Sequence, residues 1–404
     1  MKRLLISIAV ISIVILLIFC GCSSPAATST PAKTSTSAVT STTATQAATS
    51  TTAASSTTAA STTTAASTTS TQVINLKFNT SFPSSHMFYK MDQYFVDQIA
   101  ERTSGRVKIT LFPAGTLTDG PNVYTGVVTG ISDIGEAIPA YTAGRFTATD
   151  SLGLPLAAKN GWVFTHVAND FQQQFKPKEN NDVHVLFEDA GSPYVFQTRD
   201  KAILTPSDLQ GLKVRASGAV ASKYVTLLGG VPMGIPMTEA YDAASKGAID
   251  AVLGAMDTLK SSKLADVFHY VTIPPTPVTS AVIYVMNSDR WNALPTDIQD
   301  IFTQVSEEMV EAYARAWYYS EIDGQEYFSS QSGVREIHEI PAAEAATWND
   351  LVAPVITNYI TTQTAAGLPA ADYVKYNQER VEYWNSKIVD KETVKQFISG
   401  TILK

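Results

Sequence analysis

The sequence predicts an α/β protein of two lobes, each a sheet flanked by helices, with one long helix spanning both. Three observations predict it. The stretch of globular composition, from Val73 to Lys404, holds about 330 residues, more than one hydrophobic core usually serves. A helix end followed by Gly-x-x-Asp and a strand occurs once in each half, as VVTGISDIG and ASKGAIDAV. From Thr296 to Phe328 a helical pattern runs with no proline and a single glycine, Gly324.

The first element precedes the body. Lys2 and Arg3 stand before an apolar run from Leu4 to Phe19, broken only by Ser7 and Ser12, the layout of an export signal. The run falls short of the roughly 20 residues of a membrane span. Residues 1–22 therefore read as a lipoprotein signal peptide, with an uncleaved signal anchor as the alternative. The two cysteines of the chain, Cys20 and Cys22, both sit where the apolar run ends, so no disulfide is expected downstream. Residues 23–72 are almost entirely Ser, Thr, Ala and Pro, with Lys33 the one charge. Such a stretch buries too little apolar surface to offset its ordering entropy and is expected to be a disordered tether spanning roughly 40 Å on average.

The body begins with a βαβ unit. Residues 73–79 and 106–112 alternate as strands do, and Met87–Arg102 between them is helical, stopped at Ser104–Gly105. This pattern implies a parallel sheet with a right-handed crossover. A helix at Asn122–Thr129 ends on Gly130, and the strand SDIGEA follows. In the second half, Thr205–Pro206 starts and Gly211 stops a helix before the strand Leu212–Ala216. Thr238 then caps a helix that Gly247 stops, and AIDAVLG is the next strand. Thr296 with Gln299 reads as a capping box, and Ile298, Ile301, Phe302, Val305 and Met309 form the apolar stripe of the helix behind it. Its aromatic residues Tyr313, Trp317, Tyr318 and Tyr319 read as packing residues.

Composition and motif narrow the function. The whole chain carries a formal charge of −8, and the first 72 residues hold three basic groups and no acid, so the body stands at −11. That argues against nucleic acid and anionic lipid as partners. No HExxH, P-loop, GxSxG or dinucleotide fingerprint is present, and the five histidines have no metal-ligand spacing. Neither a metal nor a cofactor nor a catalytic residue is expected. Arg215 near the C-terminal end of its strand has two readings. It closes a structural salt bridge, or it meets a ligand carboxylate, since open α/β sheets bind ligands outside those strand ends.

The segment SFPSSHMFYKMDQYFVDQIAERTSGRVKITLFPAGTL resembles the opening of the solute receptors of tripartite ATP-independent periplasmic (TRAP) transporters, the DctP family. GVVTGISDIG, Leu154–Pro155, DLQGLKVR and TEAYDAASKGAIDA follow in the family's order, so the resemblance covers roughly residues 73–330. Cys22, with Gly21 before it and two serines after it, is similar to the lipid-modified cysteine of bacterial lipoproteins. The resemblance implies a two-lobed periplasmic-binding-protein-like fold, type II-like. Residues 73–192 plus 281–320 would form lobe 1, and 193–280 plus 321–404 lobe 2 with the C-terminal helices. It further implies a small organic acid held between the lobes, transfer to the permease subunits of a TRAP transporter, and extracytoplasmic attachment through an N-terminal lipid.

Residue by residue, the resemblance puts Arg215 on the ligand carboxylate, where a guanidinium makes two parallel charge-assisted hydrogen bonds. It places Arg199 near a second arginine position and Thr276 where members often carry asparagine. Thr80, Asp119, Ile138 and Tyr141 fall at cleft-facing positions of the first lobe, and Met237 at one of the second. Glu239 reads as capping-turn electrostatics. Val252 and Leu253 stand where polar residues often occur, which points to a less hydroxylated ligand. Three rivals remain: a receptor of the same fold feeding a signalling protein, a surface hydrolase or lyase, and an adhesion stalk.

Overall fold

The computed structural model describes residues 73–403. The segments read as signal peptide and tether, Cys22 included, lie outside the described residues.

The chain builds its first sheet from β1 (Ile74–Thr80), α1 (Met87–Arg102), β2 (Val107–Phe112), α2 (Val123–Val128), β3 (Ile134–Ala137), α3 (Gly161–Phe175) and β4 (Val183–Ala190). It crosses to a second sheet with β5 (Tyr194–Thr198), β6 (Lys213–Arg215), α4 (Gly218–Leu227), β7 (Val231–Met233), α5 (Met237–Ser245), β8 (Ala251–Ala255), the short α6 (Thr258–Ser261) and β9 (Tyr270–Ile273). It returns through β10 (Ala281–Asn287) and α7 (Ser288–Asn292). Then follow α8 (Thr296–Ser330), β11 (Glu336–Glu339), α9 (Ala342–Val352), α10 (Pro354–Ala365), α11 (Ala370–Asn385) and α12 (Lys391–Phe397).

The strand orders are β2-β1-β3-β10-β4 and β11-β9-β5-β8-β6-β7. β1 pairs parallel with β2 and with β3, as the βαβ reading expects. The sheet as a whole is mixed, because β10 enters antiparallel between β3 and β4. The second sheet repeats the scheme, with β6 parallel to β7 and β8, and β5 antiparallel to β8. Each sheet thus takes its antiparallel strand from the chain as it arrives from the other.

The Gly-x-x-Asp signal does the same job twice. Gly130 (φ 76°) and Gly247 (φ 70°) end their helices in the left-handed conformation that glycine adopts without strain. Asp133 then accepts from the Lys77 backbone N–H at 2.7 Å and returns its own N–H to Lys77 O at 3.0 Å. Asp250 brackets Lys213 in the same way, at 2.8 Å in both directions.

The long helix α8 spans 35 residues, about 50 Å at 1.5 Å per residue. Ile298, Phe302, Val305 and Met309 pack into the first core with Phe78, Phe88 and Phe95. Phe328, near the far end, belongs to the core beneath the second sheet with Ile249 and Val252. Between these points Gly324 lies so close to the turn after β8 that a Cβ would stand 2.7 Å from Asp257 Cα and from Met256 O.

Several local expectations shift. Pro295, not Thr296, is the N-cap of α8, and the Gln299 amide donates to Trp291 O at 2.8 Å instead of closing a capping box. Thr238 likewise falls inside α5, which Pro236 caps, with Glu239 in its first turn. The segment after Thr205 makes a 3-10 turn, Pro206–Leu209, rather than an α-helix. Residues 321–404, expected with the second lobe, divide. α11 packs on α3, where Arg380 Nε and Trp384 Nε1 both donate to Asp170 at 2.7 and 2.6 Å. Beyond α12, Ile398 buries itself in the first core.

Candidate functional site

Two chain crossings run side by side between the sheets. Gly191 N–H donates to Ser280 O at 2.8 Å, and Tyr194 N–H to Val278 O at 2.9 Å. The Thr279 hydroxyl donates to Gly191 O at 2.6 Å, and the Ser192 hydroxyl to Trp317 O of α8 at 3.1 Å. Over this seam opens a cavity of about 390 Å³ with walls from both lobes, within the size range of small-molecule sites.

Arg215 enters it from the C-terminal end of β6, yet its residue surface is only 2% exposed. Nε donates to Ile235 O at 2.8 Å, and Nη1 lies 3.4 Å from Leu253 O. Among the described residues no carboxylate pairs with it. This speaks against the structural salt bridge. Gly254 keeps the adjoining space open, since a Cβ there would lie 3.0 Å from Met237 Cε and 3.9 Å from Arg215 Nη1. Tyr194 also lines the cavity, and burial pushes its phenol up to about 12 against the pull of the Arg215 charge.

Of the sequence-predicted residues, Arg215, Ile138, Tyr141 and Met237 meet in this cavity. Tyr141 and Met237 touch across it, the Met237 N–H donating to the Tyr141 hydroxyl at 3.2 Å. Four others are not brought there. Thr80 is wholly buried and donates to Glu136 Oε2 at 2.9 Å, one residue short of Ser81, which does line the wall. Asp119 is exposed and accepts from the Asn122 amide at 2.6 Å, while its neighbour Gly120 lines the cavity under the Tyr141 ring. Arg199 caps the C-terminal end of α5 by donating to Ala244 O at 2.5 Å. It follows the far end of β5, whose cavity end is Tyr194. Thr276 turns outward to Asn349, donating to its Oδ1 at 2.9 Å, and Ser280 of the same crossing faces the cavity instead.

The structure adds residues that sequence reasoning missed. His86 caps α1: its Nδ1 accepts from the Phe88 N–H at 3.1 Å, which leaves the proton on Nε2. Nε2 donates across the cleft to Asp257 Oδ2 at 3.1 Å. Phe82 stacks on the His86 ring with centroids 4.3 Å apart. Trp317, read as packing, lines the cavity as well as packing on Phe88 at 3.9 Å. A polar residue before a helix start and an acid just past the end of the AIDAVLG strand were the available signals.

Asp92, Glu136, Glu188 and Asp189 are all buried in the first lobe, and none lines the cavity. Burial pushes Asp92 up to about 7 and the other three well above the usual carboxylate range. Among the described residues no group of acids, histidines or cysteines has the geometry of a metal site. No helix there is long and apolar enough to cross a membrane.

The profile of the bacterial extracellular solute-binding protein family 7, DctP, matches residues 78–363. The chain belongs to that family. This family-7 chain is 29% identical over 241 residues to the monocarboxylate 2-oxoacid-binding periplasmic protein of Nostoc sp. PCC 7120. The aligned stretch covers 57% of this chain and 64% of the Nostoc protein, under two thirds of that relative's length. The TRAP solute-binding protein of Rhodoferax ferrireducens, solved with copurified benzoate, superposes with a TM-score of 0.74 at 26% identity. That match covers 78% of this chain and 99% of the other. The TRAP solute-binding protein of Bordetella bronchiseptica, solved with mandelate, has the same fold at TM-score 0.72 and 22% identity, over 77% of this chain and 99% of that one. The two-lobed fold of TRAP solute-binding proteins is thus the fold of this family-7 chain.

Proposed function

We propose that this protein is an extracytoplasmic receptor, not an enzyme, that closes two lobes around a small carboxylate with an apolar or aromatic body. One observation carries the reading. A buried arginine faces a cavity between the lobes, and among the described residues its hydrogen-bond partners are backbone carbonyls alone. A fixed cation without a protein counter-ion is a ready anchor for a bidentate carboxylate. Phe82, Trp317, Tyr241, Met237 and Val282 give the rest of the wall its apolar character. The 2-oxoacid-binding relative and the benzoate-bound neighbour support a monocarboxylate over a sugar acid. A larger groove of about 610 Å³ beside α3 and β4 has amide-rich walls and no arginine, so it lacks the anchor.

In this reading the ligand passes to the permease subunits of a TRAP transporter. The tether at 23–72 and a lipid on Cys22 keep the receptor beside that permease, on the strength of the sequence pattern alone. Thermal melts with benzoate, mandelate, pyruvate and succinate test the receptor reading. Ligand at one hundred times its dissociation constant adds about 2.7 kcal/mol of stability. A raised Tm with at least one monocarboxylate is expected. Unchanged melts across an enlarged set of organic acids would refute it.

A further inference from the structure

We infer that the groove beside α3 and β4 is a second binding site, which takes a neutral, hydroxyl-rich ligand, an uncharged oligosaccharide. It shares no lining residue with the carboxylate cavity, so it stands or falls independently of the receptor reading.

The sequence gathers carboxamides where α3 gives way to β4. Asn169, Gln172 and Gln173 follow the i, i+3, i+4 spacing of one helix face near the end of α3. Lys176 ends that helix in the left-handed conformation (φ 42°), where glycine is usual. The chain then turns back and brings Asn180 beside Gln172, Nδ2 to Oε1 at 3.5 Å, with Asn181 next to it. Among the described residues that long contact is the one hydrogen bond these five side chains make. Gln173 and Asn181 are exposed, Asn169 and Gln172 half-buried, and all five line the groove. A carboxamide carries both donors and an acceptor, as a sugar hydroxyl does. Five of them with so little else to bind suit a polyol better than a charged group.

Charge and shape agree. The body stands at −11, yet the groove is lined by one cation, Lys176, and one anion, Glu307, both exposed. Burial lowers His184 to about 4, so its imidazole adds no charge at neutral pH. Trp291, half-buried, lies flat on that imidazole, with centroids 3.6 Å apart and planes 7° from parallel. Both rings line the groove and give it an aromatic side on which the apolar C–H face of a pyranose can pack. Its volume of about 610 Å³ exceeds that of the carboxylate cavity, about 390 Å³, and falls within the range of ligand sites. β4 is the edge strand of its sheet, which makes an added peptide strand the competing occupant. Strand addition uses main-chain hydrogen bonds and calls for neither the carboxamides nor the ring pair.

Calorimetric titration of the parent and of Gln173→Ala/Asn181→Ala tests this. The probes are maltotriose, cellotriose and chitotriose, with trigalacturonate as the charged counterpart and an uncharged Thr-Ala octapeptide as the strand. At least one neutral trisaccharide should saturate on the parent, and trigalacturonate should bind about tenfold weaker or less, since the acidic body repels it. Both replaced side chains are exposed, so the variant should fold, bind benzoate as the parent does, and lose about fivefold or more in affinity for the sugar. Trp291→Ala should weaken the sugar in the same direction. Failure of all three neutral trisaccharides on the parent would overturn the inference whatever the variants do. So would saturation by the peptide alone, or a sugar affinity that neither variant changes. None of these outcomes touches the carboxylate reading, which the benzoate titration checks separately.

Discussion

Replacing Arg215 separates the anchor from the scaffold. In the ligand-free protein the guanidinium donates to Ile235 O at 2.8 Å and weakly, at 3.4 Å, toward Leu253 O. Arg215→Ala leaves at least one buried carbonyl unsatisfied, a loss of about 1–3 kcal/mol, or roughly 1–4 °C in Tm for a body of this size. Arg215 as a whole is 2% exposed, so this modest loss should appear in the ligand-free protein. Binding should suffer more. Removing one member of a desolvated charge pair costs about 2–5 kcal/mol, or roughly thirtyfold to several thousandfold in affinity. Arg215→Lys retains the charge without the planar fork and should fall between the two. Titration of a bound carboxylate against the parent and both variants, with melts of each ligand-free protein, gives the comparison. Affinity within about threefold of the parent in Arg215→Ala would refute the anchor assignment.

Three further outcomes follow from the structure. Burial pushes Asp92 and Asp150 up to about 7 and Glu321 up to about 8. The folded chain therefore holds protons that the unfolded chain gives up between about pH 4 and pH 8. Stability should fall as pH rises through that window, less steeply in Asp92→Asn, and a Tm that is flat or rising from pH 5.5 to pH 8 contradicts the assignment. Gly324→Ala places a Cβ 2.7 Å from the backbone of Asp257. It should cost about 1–3 kcal/mol by overpacking and weaken ligand binding, and a urea midpoint unchanged from the parent would show that the contact yields freely. A chain beginning at Val73 should be soluble, folded by circular dichroism and able to bind, since the first strand starts at Ile74; an insoluble or unfolded product would place the boundary earlier.

Local pattern carried much of the fold. Helix stops at Gly130 and Gly247, the strand ending on Arg215 and the uninterrupted run of α8 are all short-range signals, and each marks its element. What sequence could not supply was strand direction and long-range adjacency. Arg199 missed the cavity because β5 runs antiparallel to β8, so its cavity end is Tyr194. Thr276 missed it because the crossing 274–280 has no periodicity from which to read a face. His86, Asp257 and Trp317 come together from positions 171 residues apart and more than 50 further along, and no local propensity encodes that meeting. The capping errors at Thr238 and Thr296 have a simpler origin. A proline sits just before each helix, at 236 and 295, and takes the cap position in an extended conformation.

The exchange of antiparallel strands has a consequence for the order in which the molecule can form. β10 stands between β3 and β4 and supplies the buried Ile283, Tyr284 and Val285. It is made only after the whole run from β5 to β9. At 5–20 residues per second, the first lobe waits roughly 5–20 s after β4 for the strand that closes it, with the edge of β3 unpaired. A chain that crosses a membrane unfolded and folds only afterwards loses nothing by this. The same dependence governs recombination: a graft that swaps the second lobe between relatives must cut at 191–193, at 274–280 and again within α8. A single cut after residue 192 would give the first sheet its fourth strand, β10, from the other relative.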